Sequence, residues 1–144
     1  YTGWYTLSLH DALPISSENP ALVPWEQLGE EFRESSRLAA DHISVKLEAA
    51  GCTIGPLMDW DAESFAFRAE EVEQMARLEH ERWMNERLLA GWTYGAARDD
   101  AAKRNPNLAP WDRLPEDMKQ HNRESIKKLP GFLAGAGFQI CRLK

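Results

Sequence analysis

Long apolar runs are missing from these 144 residues. None approaches the roughly twenty residues that a membrane-spanning helix needs, so no membrane contact is expected. The front of the chain has no basic stretch leading into an apolar core, which leaves secretion without support and the cytoplasm as the expected location. Cysteine is scarce. Cys52 and Cys141 have no metal-ligand spacing and are too few for a disulfide framework, so they read as small buried or edge residues in a reducing compartment. Positive charge is also in deficit: the formal net charge is −6, which argues against long nucleic acid as a partner.

Catalytic and cofactor motifs are equally thin. "HERWM" at His80 has Met84 where a zinc-protease helix needs its second histidine. "GFLAGAG" lacks dinucleotide-binding glycine spacing and does not follow a strand, and no phosphate-binding P-loop is present. His42, His80 and His121 sit at no paired ligand spacing, so no metal, no cofactor and no enzymatic activity are expected.

What remains is enough for one compact domain. Hydrophobic residues at 43% and charged residues at 28% are ordinary for a globular protein. The charge is uneven: residues 103–144 carry nine lysines and arginines against four aspartates and glutamates. That basic third suits a compact anion such as a nucleotide phosphate, and suits equally the neutralising of acidic helices in the same domain.

Three segments read as helices, so the fold class is mainly α. "WEQLGEEFRESSRLAADHISVKLEAAG" places Leu28, Phe32, Leu38, His42, Val45 and Leu47 near helical spacing, with Gly51 as a C-terminal cap. "AEEVEQMARLEHERWMNERLLAG" turns Val72, Met75, Leu78, Met84 and Leu88 inward and closes at Gly91; its acidic first turn suits the helix dipole. A third runs from Pro115 to Lys128, is broken at Pro130 and allows one more short helix. "FQICRLK" alternates as a short strand, and "CTIG" is its expected antiparallel partner.

The chain also repeats itself. "NPALVPWEQLGEEF" from Asn19 is answered by "NPNLAPWDRLPEDM" from Asn105 at an offset of 86 residues without a gap. The same offset pairs Trp25 with Trp111, Arg37 with Arg123, Gly51 with Gly137 and Ile54 with Ile140. Two copies of one helical unit are therefore expected, the first without its beginning.

The chemistry concentrates in residues 78–110, "LEHERWMNERLLAGWTYGAARDDAAKRNPNLAP". Trp92 and Tyr94 stand among glycines, followed by Arg98, Asp99, Lys103 and Arg104. Aromatic faces beside cations are what a base-plus-phosphate ligand needs. The same residues also read as core anchors and solvated surface pairs, a reading favoured for Trp83 and Trp111 and left open for Trp92.

Taken together, "EH.RW", "GW.YG", "RD", "K.NP.L.PW..L", the Arg123 helix and "LPGFLAGAGFQI" resemble the ryanodine-receptor repeat, the RyR domain. The likeness runs closely over residues 78–142, whereas residues 19–54 resemble only the second half of a repeat. It implies a small helical module with a short β element, and repeat pairs facing one another around a cleft that recognises adenine nucleotides and related ligands. Carried over, it makes Trp92 and Tyr94 an aromatic wall, and Arg98, Asp99, Lys103 and Arg104 the polar wall and phosphate contacts. Arg123 and its mate Arg37 would approach from the two halves. The first repeat has no "GW.YG", so half of such a cleft is missing. The expected role is non-enzymatic ligand sensing in a larger signalling or ion-transport-linked protein; the alternative is a structural or protein-interaction module using the acidic helix face from Glu70 to Glu81. The expected partners are a nucleotide-like small molecule and an upstream domain or protein.

"YTLSLHDALPIS" at the front fits none of this. Residues 6–15 back-translate without error into a common sequencing adapter. Residues 1–16 are accordingly expected to be non-native, in a fragment of environmental origin whose upstream part is lost, leaving a partial first repeat at 17–66 and a complete one at 67–144.

Overall fold

The sequence "PW..L" sets where helices start. In the computed structural model, which describes residues 24–143, Pro24 and Pro110 each lead into a single 3-10 turn, Trp25–Gln27 and Trp111–Arg113. Leu28 and Leu114 then turn extended, and both side chains drop into the core. The continuous helix expected from Trp25 is thereby divided. Helix α1 spans Glu30–Asp41 and helix α2 spans Ile43–Ala49, with a kink at His42. Leu38 and Val45, expected inward, are exposed; only Ala39, Ile43 and Leu47 of the apolar positions between 38 and 47 are buried. Strand β1, Cys52–Pro56, follows after Gly51, whose φ of 73° is the left-handed helix cap that its sequence position announced.

Helix α3, Ala69–Leu89, is the long element. Glu71 Oε2 accepts the Arg68 backbone N–H at 2.7 Å and fixes its first turn. Val72 and Met75 are buried as expected, but Leu88 is exposed. The inward face of its second half is instead Glu79, His80, Trp83 and Arg87. An apolar pattern alone misses that face, because three of these four residues carry polar groups. After the loop described below come α4, Glu116–Lys127, α5, Leu129–Gly135, and strand β4, Phe138–Arg142.

Every one of these closing elements starts and ends 86 residues after its counterpart in the first copy, from the 3-10 turn through the strand. Strands β1 and β4 pair antiparallel with Ile54 opposite Ile140, which are themselves repeat mates. The ladder therefore maps onto itself when the copies are exchanged, and a pseudo-dyad passes between those two isoleucines. The main core lies around it. Ile43 and Leu47 of one copy meet Leu129 and Leu133 of the other over Val72 and Met75 of α3.

Helix α3 crosses between the copies, and beside its apolar contacts it makes a set of polar ones. At its N-terminal half, Glu73 Oε2 accepts Arg123 Nε at 2.7 Å and Oε1 accepts Trp111 Nε1 at 3.1 Å. Arg142 bonds Glu71 at 2.6 Å. Arg123 and Arg142 thus spend their charge on α3 of the same domain. At its C-terminal half, Lys46 Nζ donates to Glu79 Oε2 at 2.8 Å, with side chains only 2% and 3% exposed. Arg82 reaches Glu79 at 2.7 Å and Glu86 at 3.0 Å, and Ser35 Oγ donates to Glu86 at 3.0 Å. His80 is fully enclosed, and its Nε2–H donates to the Ala109 carbonyl at 2.6 Å.

Acid should therefore loosen the fold in two stages. Burial lowers the His80 pKa, partly offset by the Ala109 bond. Burial pushes Glu79 upward, but the Lys46 and Arg82 charges overcome it and hold the carboxyl at about 2. Both groups have folded pKa values below their unfolded ones, so each contributes stability at higher pH that is lost on acidification. Urea unfolding measured from pH 8 to pH 2 is expected to show a first decline below the ordinary histidine range. A steeper one follows from the ordinary carboxylate range down to about pH 2. A flat profile across both windows would contradict these assignments.

Candidate functional site

The loop after α3 is held by its own backbone. Gly91 takes φ 89°, and the Trp92 N–H returns to the Arg87 carbonyl at 2.9 Å. Strand β2, Thr93–Tyr94, pairs parallel with β3, Arg104–Asn105, a two-residue ladder that the sequence did not announce. Asp99 and Arg104 exchange backbone N–H···O bonds at 2.9 and 2.8 Å. Gly95 is required here: a Cβ on it would fall 2.7 Å from Arg104 Cβ.

Several expected ligand residues have partners within this loop. Arg98 Nε donates to Asp100 Oδ1 at 2.7 Å. Asp99 Oδ1 accepts the Ala102 N–H at 3.1 Å, closing the turn. Lys103 has a positive φ of 54° and places Nζ 2.8 Å from the Ala90 carbonyl, satisfying the C-terminal end of α3. Arg104 Nη1 only just reaches the Tyr94 carbonyl, at 3.5 Å.

Trp92 lies inward, 6% exposed, in a small cluster with Trp83 and Leu108. Its Nε1 donates to Glu31 Oε1 at 3.2 Å, and Arg87 lies 5.7 Å from its ring centre while bonding the same carboxylate at 2.7 Å. The loop is thereby fastened to α1 of the other copy. Tyr94 points the other way, 58% exposed. Arg123 and Arg37 occupy equivalent positions. Arg123 lies 5.8 Å from the Trp111 ring centre and bonds Glu73 and Glu116; Arg37 lies 5.7 Å from Trp25 and bonds Glu30 and Glu34. Among the described residues, no hydrogen bond, ion pair or ring contact joins either arginine to residues 92–104. Glu73 and Glu116 raise the Arg123 pKa, so its charge is permanent.

Beside the loop lies a cavity of about 570 Å³ lined by Tyr94, Pro106, Leu108, Ala109, Pro110, Arg113 and Pro115. Its volume is in the range that holds small ligands. Arg113 is the cation on this wall and was missed in the sequence. Three prolines around one apolar turn were the available sign, since they give rigid walls. No cluster of His, Cys, Asp and Glu among the described residues has the arrangement to hold a metal ion, and no described helix is long and apolar enough to cross a membrane.

The described residues form a small, mainly helical module with two short two-stranded sheets, β1 with β4 and β2 with β3. The model of the family described as RyR domain matches residues 67–142, more than half of the chain, and the chain belongs to that family. The match takes in α3, the loop, the cavity residues and the whole second copy.

Burial predicts the behaviour of Trp92. Trp92→Ala is expected to cost about 3–5 kcal/mol, the usual range for emptying a buried tryptophan site, read by urea unfolding. A variant with unchanged stability would return Trp92 to the role of ligand wall.

Proposed function

We propose that this chain is a non-enzymatic sensing module that takes a nucleotide-like anion at the cavity beside the "GWTYG" loop. One observation carries the reading: an exposed tyrosine and an arginine, Tyr94 and Arg113, share a proline-walled cavity of small-ligand size. In this reading Tyr94 stacks on the base, and Arg113 with the weakly held Arg104 takes the phosphate. Trp92 supports the loop from beneath, and Arg98, Asp99 and Lys103 keep its shape. Arg123 and Arg37 act at a distance, by holding Trp111 and Trp25. Membership of a family of non-catalytic regulatory and structural domains fits a binding role. Sensing requires that the ligand prefer one arrangement of the loop, since a ligand indifferent to two arrangements shifts neither.

A second reading, a structural or protein-interaction module of a larger signalling or ion-transport-linked protein, draws on a different observation. The cations at Arg37, Arg98, Lys103 and Arg123 already have protein partners. A thermal-shift panel on the chain separates the two. ATP, ADP, AMP, NAD, ADP-ribose and cyclic oligonucleotides are compared with inorganic phosphate. A ligand held only by the folded state adds about 2.7 kcal/mol at a hundredfold excess over its Kd, a shift of several degrees for a domain of this size. The expected result is a nucleotide-dependent rise lost in Arg113→Ala and Tyr94→Ala. No shift from any nucleotide in a folded sample would favour the second reading.

A further inference from the structure

The walls of the cavity beside the loop are poor in groups that could read the edge of a base. Pro106, Pro110 and Pro115 line it, and a proline has no backbone N–H to offer. Two neighbouring donors are already engaged: the Leu108 N–H bonds the Asn105 carbonyl at 3.3 Å, and the Arg113 N–H bonds the Pro110 carbonyl at 2.9 Å. Carbonyls on this wall are drawn off as well. Ala109 O accepts the Nε2–H of the enclosed His80 at 2.6 Å, and Pro115 O accepts the N–H groups of Met118 and Lys119, both at 3.1 Å.

Side-chain amides are withheld too. Asn105 and Asn107 flank Pro106, yet they are 0% and 3% exposed, and neither lines the cavity. Asn105 Oδ1 accepts the Asn107 N–H at 2.8 Å, while its Nδ2, which meets no acceptor among the described residues, is enclosed with the rest of the side chain. What the walls do present is the Tyr94 ring, the proline faces and the Arg113 guanidinium. Among the described residues no carboxylate bonds Arg113 or Arg104, whereas Arg37, Arg98 and Arg123 each have one.

Telling one base from another takes donors and acceptors set in a fixed pattern against its edge. Stacking takes only a face, and every base has one. We infer that the cavity selects its ligand by an aromatic face and a phosphate and does not read which base carries them. The ligand class is then a nucleoside phosphate of any base, with adenine given no privilege. This selection rests on the nucleotide reading above and falls to two side chains, Tyr94 for the ring and Arg113 for the phosphate. The prolines make it tolerant, because they build a rigid wall without N–H groups.

Equilibrium dialysis of the full chain against AMP, GMP, CMP and UMP tests this, with adenosine and ribose 5-phosphate for comparison. AMP and GMP share a purine face and differ at the base edge, so they are expected to bind within about threefold of each other, as are CMP and UMP. Adenosine lacks the phosphate and ribose 5-phosphate lacks the ring; each is expected to bind about tenfold more weakly than AMP, or worse. Tyr94→Ala weakens all four nucleotides by a common factor, and Tyr94→Phe recovers the loss, since the face survives without the hydroxyl. A preference between AMP and GMP of more than about tenfold, the separation that a paired edge contact gives, would overturn the inference and leave the nucleotide site standing. Binding of no nucleotide to a folded sample would remove the site itself, and the inference with it.

Discussion

A lysine and a glutamate out of water hold the two halves of this domain in place. Lys46 on α2 and Glu79 on α3 meet at 2.8 Å with almost no exposure, and Arg82 closes on the same carboxylate. Desolvating such charges costs several kcal/mol per ion and is offset only where geometry and further hydrogen bonds are good. Here they are, because Glu86 takes the rest of Arg82 and Ser35 adds a donor to Glu86. A slip of α3 by one residue would leave a buried charge unmatched. The pair therefore fixes register more than it adds stability, and everything placed by α3 inherits that register.

Much is placed by it. The N-terminal half of α3 carries Glu73 to Trp111 and Arg123, and its C-terminal end presents the loop whose Trp92 bonds Glu31 of the first copy. The candidate cavity begins where that loop turns Tyr94 outward and the prolines around Leu108 come back past it. His80 ties the two together through the Ala109 carbonyl.

The backbone was largely legible in the sequence. The 86-residue offset, the glycine caps at Gly51 and Gly91, and the pairing of "CTIG" with "FQICR" all appear in the structure. Harder to read was what faces inward. Lys46, Glu79 and Arg87 are polar residues that are buried because they pair, and apolar periodicity has no means of marking them. The kink at His42 escaped for a related reason: it depends on where Leu28 and Ile43 must drop into the core, which is a tertiary demand. At the candidate site, Tyr94 was visible as an aromatic between glycines. Lys103 and Asp99, read as ligand groups, bond the end of α3 and the loop itself, because a charge beside a turn is equally suited to capping it. Arg113 was passed over because it lies outside the conspicuous cluster and reaches the cavity only through the turn at Trp111.

The pseudo-dyad accounts for both the order and the asymmetry of the molecule. Its axis passes a strand pair in which Ile54 faces its own mate, while a single α3 crosses from one copy to the other. The claim beneath this account is that Lys46 and Glu79 act as a pair. A double-mutant cycle on Lys46→Met and Glu79→Leu, read by urea unfolding, tests it most directly. Each single change is predicted to cost about 3–5 kcal/mol by leaving its partner buried and uncompensated, and the double change far less than the sum. Costs that simply add, within about 0.5 kcal/mol, would show that the two residues stabilise the fold independently and that the register argument fails.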